Sequence, residues 1–247
     1  MSDNILSVEK LNASINEKHI LHDVDISINK GEVHVLMGPN GAGKSTLGNV
    51  VVGNPAYIVD SGKIIFGGKD ITSSTPDKRA KDGMFMSFQN PPEINGVSLS
   101  SFLRTAVEQR RGERVKIWDF KKELKSAMKL LEMDESYAER DLNVGFSGGE
   151  KKKSEILQML LLKPTLAVLD ETDSGLDVDA VRLVSAGIKE YMEKCGGSLL
   201  IITHSTRILE SINVDYTHIM INGRIVKTGD SSLVDEINQN GFAEYEI

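Results

Sequence analysis

Nine residues, Gly38-Pro39-Asn40-Gly41-Ala42-Gly43-Lys44-Ser45-Thr46, constrain this chain more than any other stretch. They contain the spacing GxxxxGK[ST], in which glycines let backbone N–H groups curl round phosphate oxygens and the lysine reaches the outer phosphates. Ser45 would offer its hydroxyl to Mg2+. The four fixed positions arise by chance in on the order of one chain in a hundred of this length, so the context decides. Here the loop follows the run Val33-His34-Val35-Leu36-Met37 and precedes a predicted helix over 44–52, whose N-terminus favours anions. A strand, a phosphate-binding turn and a helix in that order predict an α/β fold.

The rest of the chain extends that pattern. Short apolar alternation broken by polar turns predicts several strands between residues 5 and 37, and a hairpin over 63–70 with Gly67-Gly68 at its turn. From 97 to 162 the character becomes charged and helical, with helices expected over 99–110, 120–133 and 151–162 and a glycine-rich break at 145–149. Beyond it come a strand over 166–169, a helix over 178–194, a strand over 198–203 and a helix over 206–212. A terminal hairpin, 217–221 and 224–228, turns at Asn222-Gly223. Strand–helix alternation implies parallel βαβ packing. The expected architecture is a single domain with a mixed-sheet core lobe, about 1–96 and 163–247, and a helical insertion lobe, about 97–162.

The strand over 166–169 ends in Asp170-Glu171, at the carboxyl edge where open α/β sheets bind ligands. Asp170 is placed to hold Mg2+ and Glu171 to polarise an attacking water. Composition removes other classes. With 29 Lys and Arg against 36 Asp and Glu, the net charge of -7 offers no broad basic field for a nucleic acid. A single cysteine, Cys195, can form neither an internal disulfide nor a multi-thiolate metal site, which fits a reducing compartment. No apolar run approaches the roughly 18 residues of a membrane helix, and the first ten residues lack a basic region followed by an apolar stretch. The sequence reads as cytoplasmic, with no nucleic-acid partner and no direct membrane insertion.

Further motifs now carry a resemblance. Phe146-Ser147-Gly148-Gly149-Glu150 resembles the LSGGQ signature of ABC-type ATPases, and Gln89, after the run from Met84 to Phe88, resembles that family's Q-loop. Ser174-Gly175-Leu176-Asp177 resembles its D-loop and His204 its switch histidine. With the phosphate loop and Asp170-Glu171, six motifs stand in family order. The resemblance implies a Mg-dependent ATPase that hydrolyses ATP to ADP and phosphate. Gln89 would contact the metal or water and His204 the γ-phosphate. Ser147, Gly148 and Gly149 would complete a site held by another subunit, so one loop and one signature per chain imply a transient head-to-tail dimer.

Finer features separate the chain from common transporter ATPases, whose strand exit reads DEPTSALD. Here residues 170–177 read DETDSGLD, with an extra acid at Asp173, residues 146–152 read FSGGEKK, and Gln89 is followed by Pro92, Glu93, Ile94, Gly96, Val97 and Ser98. These stretches are similar to the branch of the family that serves the SUF machinery of iron–sulfur cluster assembly. That likeness implies a soluble scaffold partner, SufB and, where present, SufD, rearranged by ATP hydrolysis. The alternative is the nucleotide-binding subunit of an ABC membrane transporter. Ala13-Ser14-Ile15-Asn16 carries no ring where many members stack one on adenine, leaving Ile15 for apolar contact.

Lys151, Lys152 and Lys153 place positive charge at a helix start, against the helix dipole. Either they form a solvated face, or Lys152 pairs with Asp173 or Glu171 and withdraws the carboxylate from water. Trp118 reads as part of a helix-packing seam, with a docking aromatic as the alternative, and Cys195 reads as structural.

Overall fold

The computed structural model describes residues 3–245. β1 (Asn4–Ile15) and β2 (Lys18–Asn29) form a twelve-residue antiparallel hairpin. Asn16 and Glu17 both take positive φ at its turn, the geometry of a two-residue hairpin loop. After β3 (Val33–Met37) and α1 (Lys44–Val51), β4 (Ile58–Phe66) pairs with β1, and β5 (Lys69–Asp70) closes on β4 across Gly67-Gly68. The result is a four-stranded antiparallel sheet in the order β2-β1-β4-β5.

α2 (Pro76–Asp82) leads into β6 (Met84–Met86), β7 (Ile94–Ser98), α3 (Leu99–Arg111) and α4 (Ile117–Leu130). β8 (Asp141–Leu142) pairs with β7 ahead of α5 (Gly148–Leu162) and β9 (Leu166–Asp170). α6 (Val178–Cys195), β10 (Ser198–Ile202), β11 (Tyr216–Ile221), β12 (Arg224–Gly229) and α7 (Ser232–Asn240) complete the order. The second sheet runs β12-β11-β3-β10-β9-β6, parallel except for β12 at its edge.

That six-stranded sheet is the wall between two cores, and side-chain parity assigns its residues. Val33, Val35, Ala167, Leu169, Leu199 and Ile201 face the core built with α3 to α6. Leu36, Leu166, Val168, Leu200 and Ile202 face the core built with α1 and the antiparallel sheet. A strand buried on both faces reads as a continuous apolar run, which is why 166–169 and 198–202 lack alternation. α5 and α6 approach closely because Gly187 has no side chain: a Cβ there would sit 2.4 Å from Ile156 Cγ2.

The structure departs from expectation in several places. Residues 206–212 form only a 3-10 turn, Leu209–Ser211, entered through a Thr203 hydroxyl that accepts from Ser205 N–H at 2.9 Å. Three β-branched residues, Thr206, Ile208 and Ile212, disfavour a longer helix there. α4 begins at Ile117, and Trp118 lies outside any packing seam, with 86% of its surface exposed. α2 and α7 were not legible as helices. α2 is anchored by Arg79, which is buried and donates to the carbonyls of Val50 and Val51 at the end of α1, and to those of Thr72 and Ser74. Among the described residues, no helix is long and apolar enough to cross a membrane.

Candidate active site

Four parallel strands of the central sheet deliver their following loops to one edge. Register pairs Ile202 with both Leu36 and Asp170, and Met86 with Val168. The phosphate loop therefore leaves β3, Gln89 follows β6, Asp170-Glu171 ends β9 and His204 follows β10, all on the carboxyl side. This is the edge on which such sheets place ligands.

The phosphate loop is shaped by what surrounds it. Gly38 runs so close to β11 that a Cβ would lie 2.2 Å from the Met220 carbonyl oxygen. Gly43 caps α1 at φ 103°, a region that favours glycine, while Gly41 faces open space. Asn40 and Gly41 are exposed, Pro39 and Thr46 half-buried, and Ala42 is held in the core. Lys44 Nζ donates to the carbonyls of Gly38 at 2.7 Å and Pro39 at 3.0 Å, so its ammonium is spread across the loop. Burial pulls Lys44 below its ordinary value, while the carboxylates of Glu171 and Asp170 pull it back up.

Ser45 Oγ donates to Asp170 Oδ1 at 3.1 Å. Burial pushes the Asp170 carboxyl up, the Ser45 hydroxyl opposes that, and Glu171 adds to it. A hydroxyl and a carboxylate in contact beside a phosphate loop are the hard oxygen donors Mg2+ takes, and that ion needs only one or two protein carboxylates. Among the described residues, no group of three or more His, Cys, Asp or Glu is arranged to hold a metal.

Glu171 sits at the meeting point of the other loops. Its backbone takes φ 47°, a left-handed value that costs a non-glycine residue about 1 kcal/mol or more. Its N–H is tied to the Ile202 carbonyl at 2.8 Å. Gln89 Nε2 donates to Glu171 Oε2 at 2.9 Å, and His204 Nδ1 stands 3.5 Å from Oε1. The base of the site is stitched by hydroxyls. Ser87 Oγ accepts from Asp170 N–H at 3.0 Å and meets Thr172 Oγ1 at 3.1 Å, and Thr203 Oγ1 donates to Asp173 Oδ1 at 3.3 Å. Sequence reasoning gives no role to Ser87, Thr172 and Thr203, since each sits one or two positions from a recognised motif residue and carries no spacing of its own.

The pairing of Lys152 with Asp173 or Glu171 does not form. Lys152 Nζ donates instead to the Phe88 carbonyl at 2.7 Å and to Glu155 Oε2 at 3.4 Å, so its charge is satisfied one helical turn along α5. Asp173 Oδ2 is buried without a partner. Burial pushes the Glu155 carboxyl up to about 7, against the pull of Lys152. Lys151 pairs with Glu93 at 2.7 Å, which binds the stretch after Gln89 to α5.

Ser147 caps α5 in a reciprocal box: its Oγ accepts from Glu150 N–H, and Glu150 Oε2 accepts from Ser147 N–H at 2.7 Å. Tyr137 donates its hydroxyl to Glu150, and Phe146 packs edge-on against Tyr137, with Arg140 over both rings. Ser147 and Gly148 are left exposed. Of the D-loop residues, Ser174, Gly175 and Asp177 are exposed, and Leu176 is buried beside Gly149. Asp177 caps α6 by accepting from Ala180 N–H at 2.7 Å.

The sequence pattern of the ABC transporter family matches residues 21–174. The fold superposes on a nucleotide-free ATP-binding cassette from an ABC transporter with a TM-score of 0.77 at 26% identity, over 96% of each chain. The chain belongs to the ABC family of ATPases, which bind ATP and hydrolyse it. Its likeness to SufC is close and nearly full length: it is 45% identical to the probable ATP-dependent transporter SufC of Escherichia coli, over 96% of this chain and 97% of that one. A probable ATP-dependent transporter, ycf16 of Pyropia yezoensis, is 48% identical over 98% of both chains.

Proposed function

We propose that this chain is the Mg-dependent ATPase of a soluble scaffold complex in iron–sulfur cluster assembly, working as a transient head-to-tail pair in the cytoplasm. The observation that carries this reading is the near-full-length likeness to SufC, together with the DETDSGLD and FSGGEKK stretches that set the chain apart from common transporter ATPases. A single cysteine leaves cluster ligation to a partner, of the SufB type and, where present, SufD.

The residues divide the chemistry as follows. Backbone N–H groups of residues 38–46 and the Lys44 ammonium take up charge on the β- and γ-phosphates. Ser45 and Asp170, with Gln89 at the edge, are the residues that would hold Mg2+, which when bound neutralises charge developing on the phosphoryl oxygens. Glu171 orients the attacking water and accepts its proton, and Gln89 and His204 fix the two carboxylate oxygens from opposite sides. The Ser147-Gly148-Gly149 corner of one copy, exposed at Ser147 and Gly148, faces the phosphate loop of the other, supplying a second set of donors at the start of α5. The D-loop residues Ser174 and Gly175 are exposed, and their neighbour Leu176 lies beside Gly149, which supports a place for them in that contact.

Phe88 is half-exposed beside Gln89 and lines an apolar groove with Phe85, Phe102 and Ala106, which gives a scaffold subunit a place to dock next to the site. The test is a native pull-down of tagged protein, with ATPase assays of the wild type and of Glu171→Gln. Recovery of SufB-type scaffold proteins, with hydrolysis rising on binding and lost in the variant, is expected. Recovery of an integral membrane protein would replace this reading with that of a transporter subunit, in line with the relatives' names, which call them probable ATP-dependent transporters.

A further inference from the structure

Helix α5 grips the backbone of the residue that precedes Gln89. Lys152 Nζ donates to the Phe88 carbonyl at 2.7 Å, and Phe88 N–H donates to the Glu155 carboxylate. Lys152 and Glu155 pair with each other at 3.4 Å, three residues apart on one helix face. Both are nearly inaccessible, with 5% and 2% of their surface exposed. One residue further along the chain, Gln89 Nε2 reaches Glu171 Oε2.

A buried ion pair carries a desolvation cost that apolar side chains of the same volume would avoid. What this pair obtains in return is hold on both polar groups of a single residue. Fixing the N–H and the C=O of Phe88 sets the two peptide planes that flank it. The Gln89 side chain starts from the second of those planes. The Phe88 side chain provides no such anchor, since about half of its surface is open to solvent.

We propose that Lys152 and Glu155 are positioning residues for hydrolysis: they clamp the Phe88 backbone so that Gln89 is delivered to the Glu171 carboxylate. This inference rests on the assignment of Glu171 as the group that orients water. The clamp acts through the backbone, whereas a direct Lys152 contact to Glu171 would act on the carboxylate itself. It also links the exposed start of α5 to the catalytic edge within one chain, through residues 152, 155, 88 and 89 in turn.

The test uses the full chain, with kcat and the KM for ATP measured for Glu155→Leu and Glu155→Gln, each with and without Gln89→Ala. Glu155→Leu is expected to lower kcat about ten- to a hundredfold, the cost of mispositioning a reacting group, with the KM for ATP within about twofold. Glu155→Gln keeps an acceptor for Phe88 N–H and is expected to retain most of the activity. In the Gln89→Ala background Glu155→Leu should cost nothing further, because no side chain remains to be delivered. Amide exchange of a peptide covering 86–91 should accelerate in Glu155→Leu and not in Glu155→Gln.

A folded Glu155→Leu protein with wild-type kcat would overturn the proposal, as would an equal loss with and without Gln89. If Glu155→Leu does not fold, Lys152→Met/Glu155→Leu, an apolar pair of similar volume, carries the same comparison. Glu171→Gln separates the two levels: full hydrolysis by that variant would remove the underlying assignment, whereas its loss beside an unaffected clamp variant would remove the clamp alone.

Discussion

The imidazoles of His34 and His218, on the neighbouring parallel strands β3 and β11, share a hydrogen bond of 2.9 Å between Nδ1 and Nε2. Outward from it, His34 Nε2 meets Glu32 Oε2 at 2.9 Å and His218 Nδ1 meets Thr228 Oγ1 at 2.9 Å. With Glu32 accepting, one consistent set of tautomers has Thr228 donating to His218, His218 to His34 and His34 to Glu32. Two neutral rings satisfy every group in the chain, while two protonated rings would face N–H against N–H.

Acid should therefore destabilise the fold through this pair. Burial lowers both histidines, and pushes His218 to about 4 from an ordinary 6.5, with His34 adding to the shift. Glu32 and Asp215 oppose it at His34. A histidine depressed in the folded state gives its full stability above pH 6.5, and that stability is lost as pH falls towards 4. The loss attributable to His218 reaches about 3 kcal/mol. Denaturant unfolding at pH 8, 6 and 5 should show the decline, and His218→Gln should be flatter over the same range.

Replacing Glu171 with Gln should leave the fold and ATP binding in place and reduce kcat by about a hundredfold or more, the range of a lost general base. Single-turnover hydrolysis and binding of a fluorescent ATP analogue separate the two effects. A matching loss of affinity would instead make Glu171 a binding group.

Arg79 has no acidic partner among its contacts and is committed to four carbonyl oxygens between 2.7 and 3.0 Å away. Arg79→Met leaves those acceptors buried and should cost about 3 kcal/mol, visible as a fall in Tm of about 6–12 °C. Hydrolysis measured well below the new Tm should be close to wild type, since the residue sits at the far end of α1 from the phosphate loop.

Gly187→Ala should be destabilising by about 1–3 kcal/mol, although alanine is the better helix former, because its methyl would overlap Ile156 Cγ2. Combined with Ile156→Ala it should cost less than the sum of the two single changes. Strict additivity in thermal unfolding would show that α5 and α6 separate to admit the methyl.

The parts of this molecule that could be read in advance are those governed by local chain chemistry. The phosphate loop is a backbone shape set by glycine spacing, and Asn222-Gly223 turns its hairpin with two positive φ values, 46° and 75°. Asp170 and Glu171 follow from a strand that ends where ligands bind. What escaped depends on distance in space. Arg79 is not legible because two of its four acceptors, the ones that tie it to α1, lie 28 and 29 residues away. The true partners of Lys152 are not legible either, because its sequence position says which helix face it occupies, but not that the loop after β6 brings the Phe88 carbonyl to that face. The residue type of Trp118 argues for a packing seam, and α4 turns it outward.

Ser147 closes its own helix by accepting from Glu150 N–H, and a hydroxyl that accepts keeps its hydrogen uncommitted. The reciprocal bond from Ser147 N–H to Glu150 fixes the backbone on which that hydroxyl stands. A second copy approaching this corner would meet an oxygen already held in place with its hydrogen free to turn, so little ordering entropy would be lost at the moment of contact. Speed of pairing would then be limited by the meeting of the two surfaces and not by rearrangement at this corner.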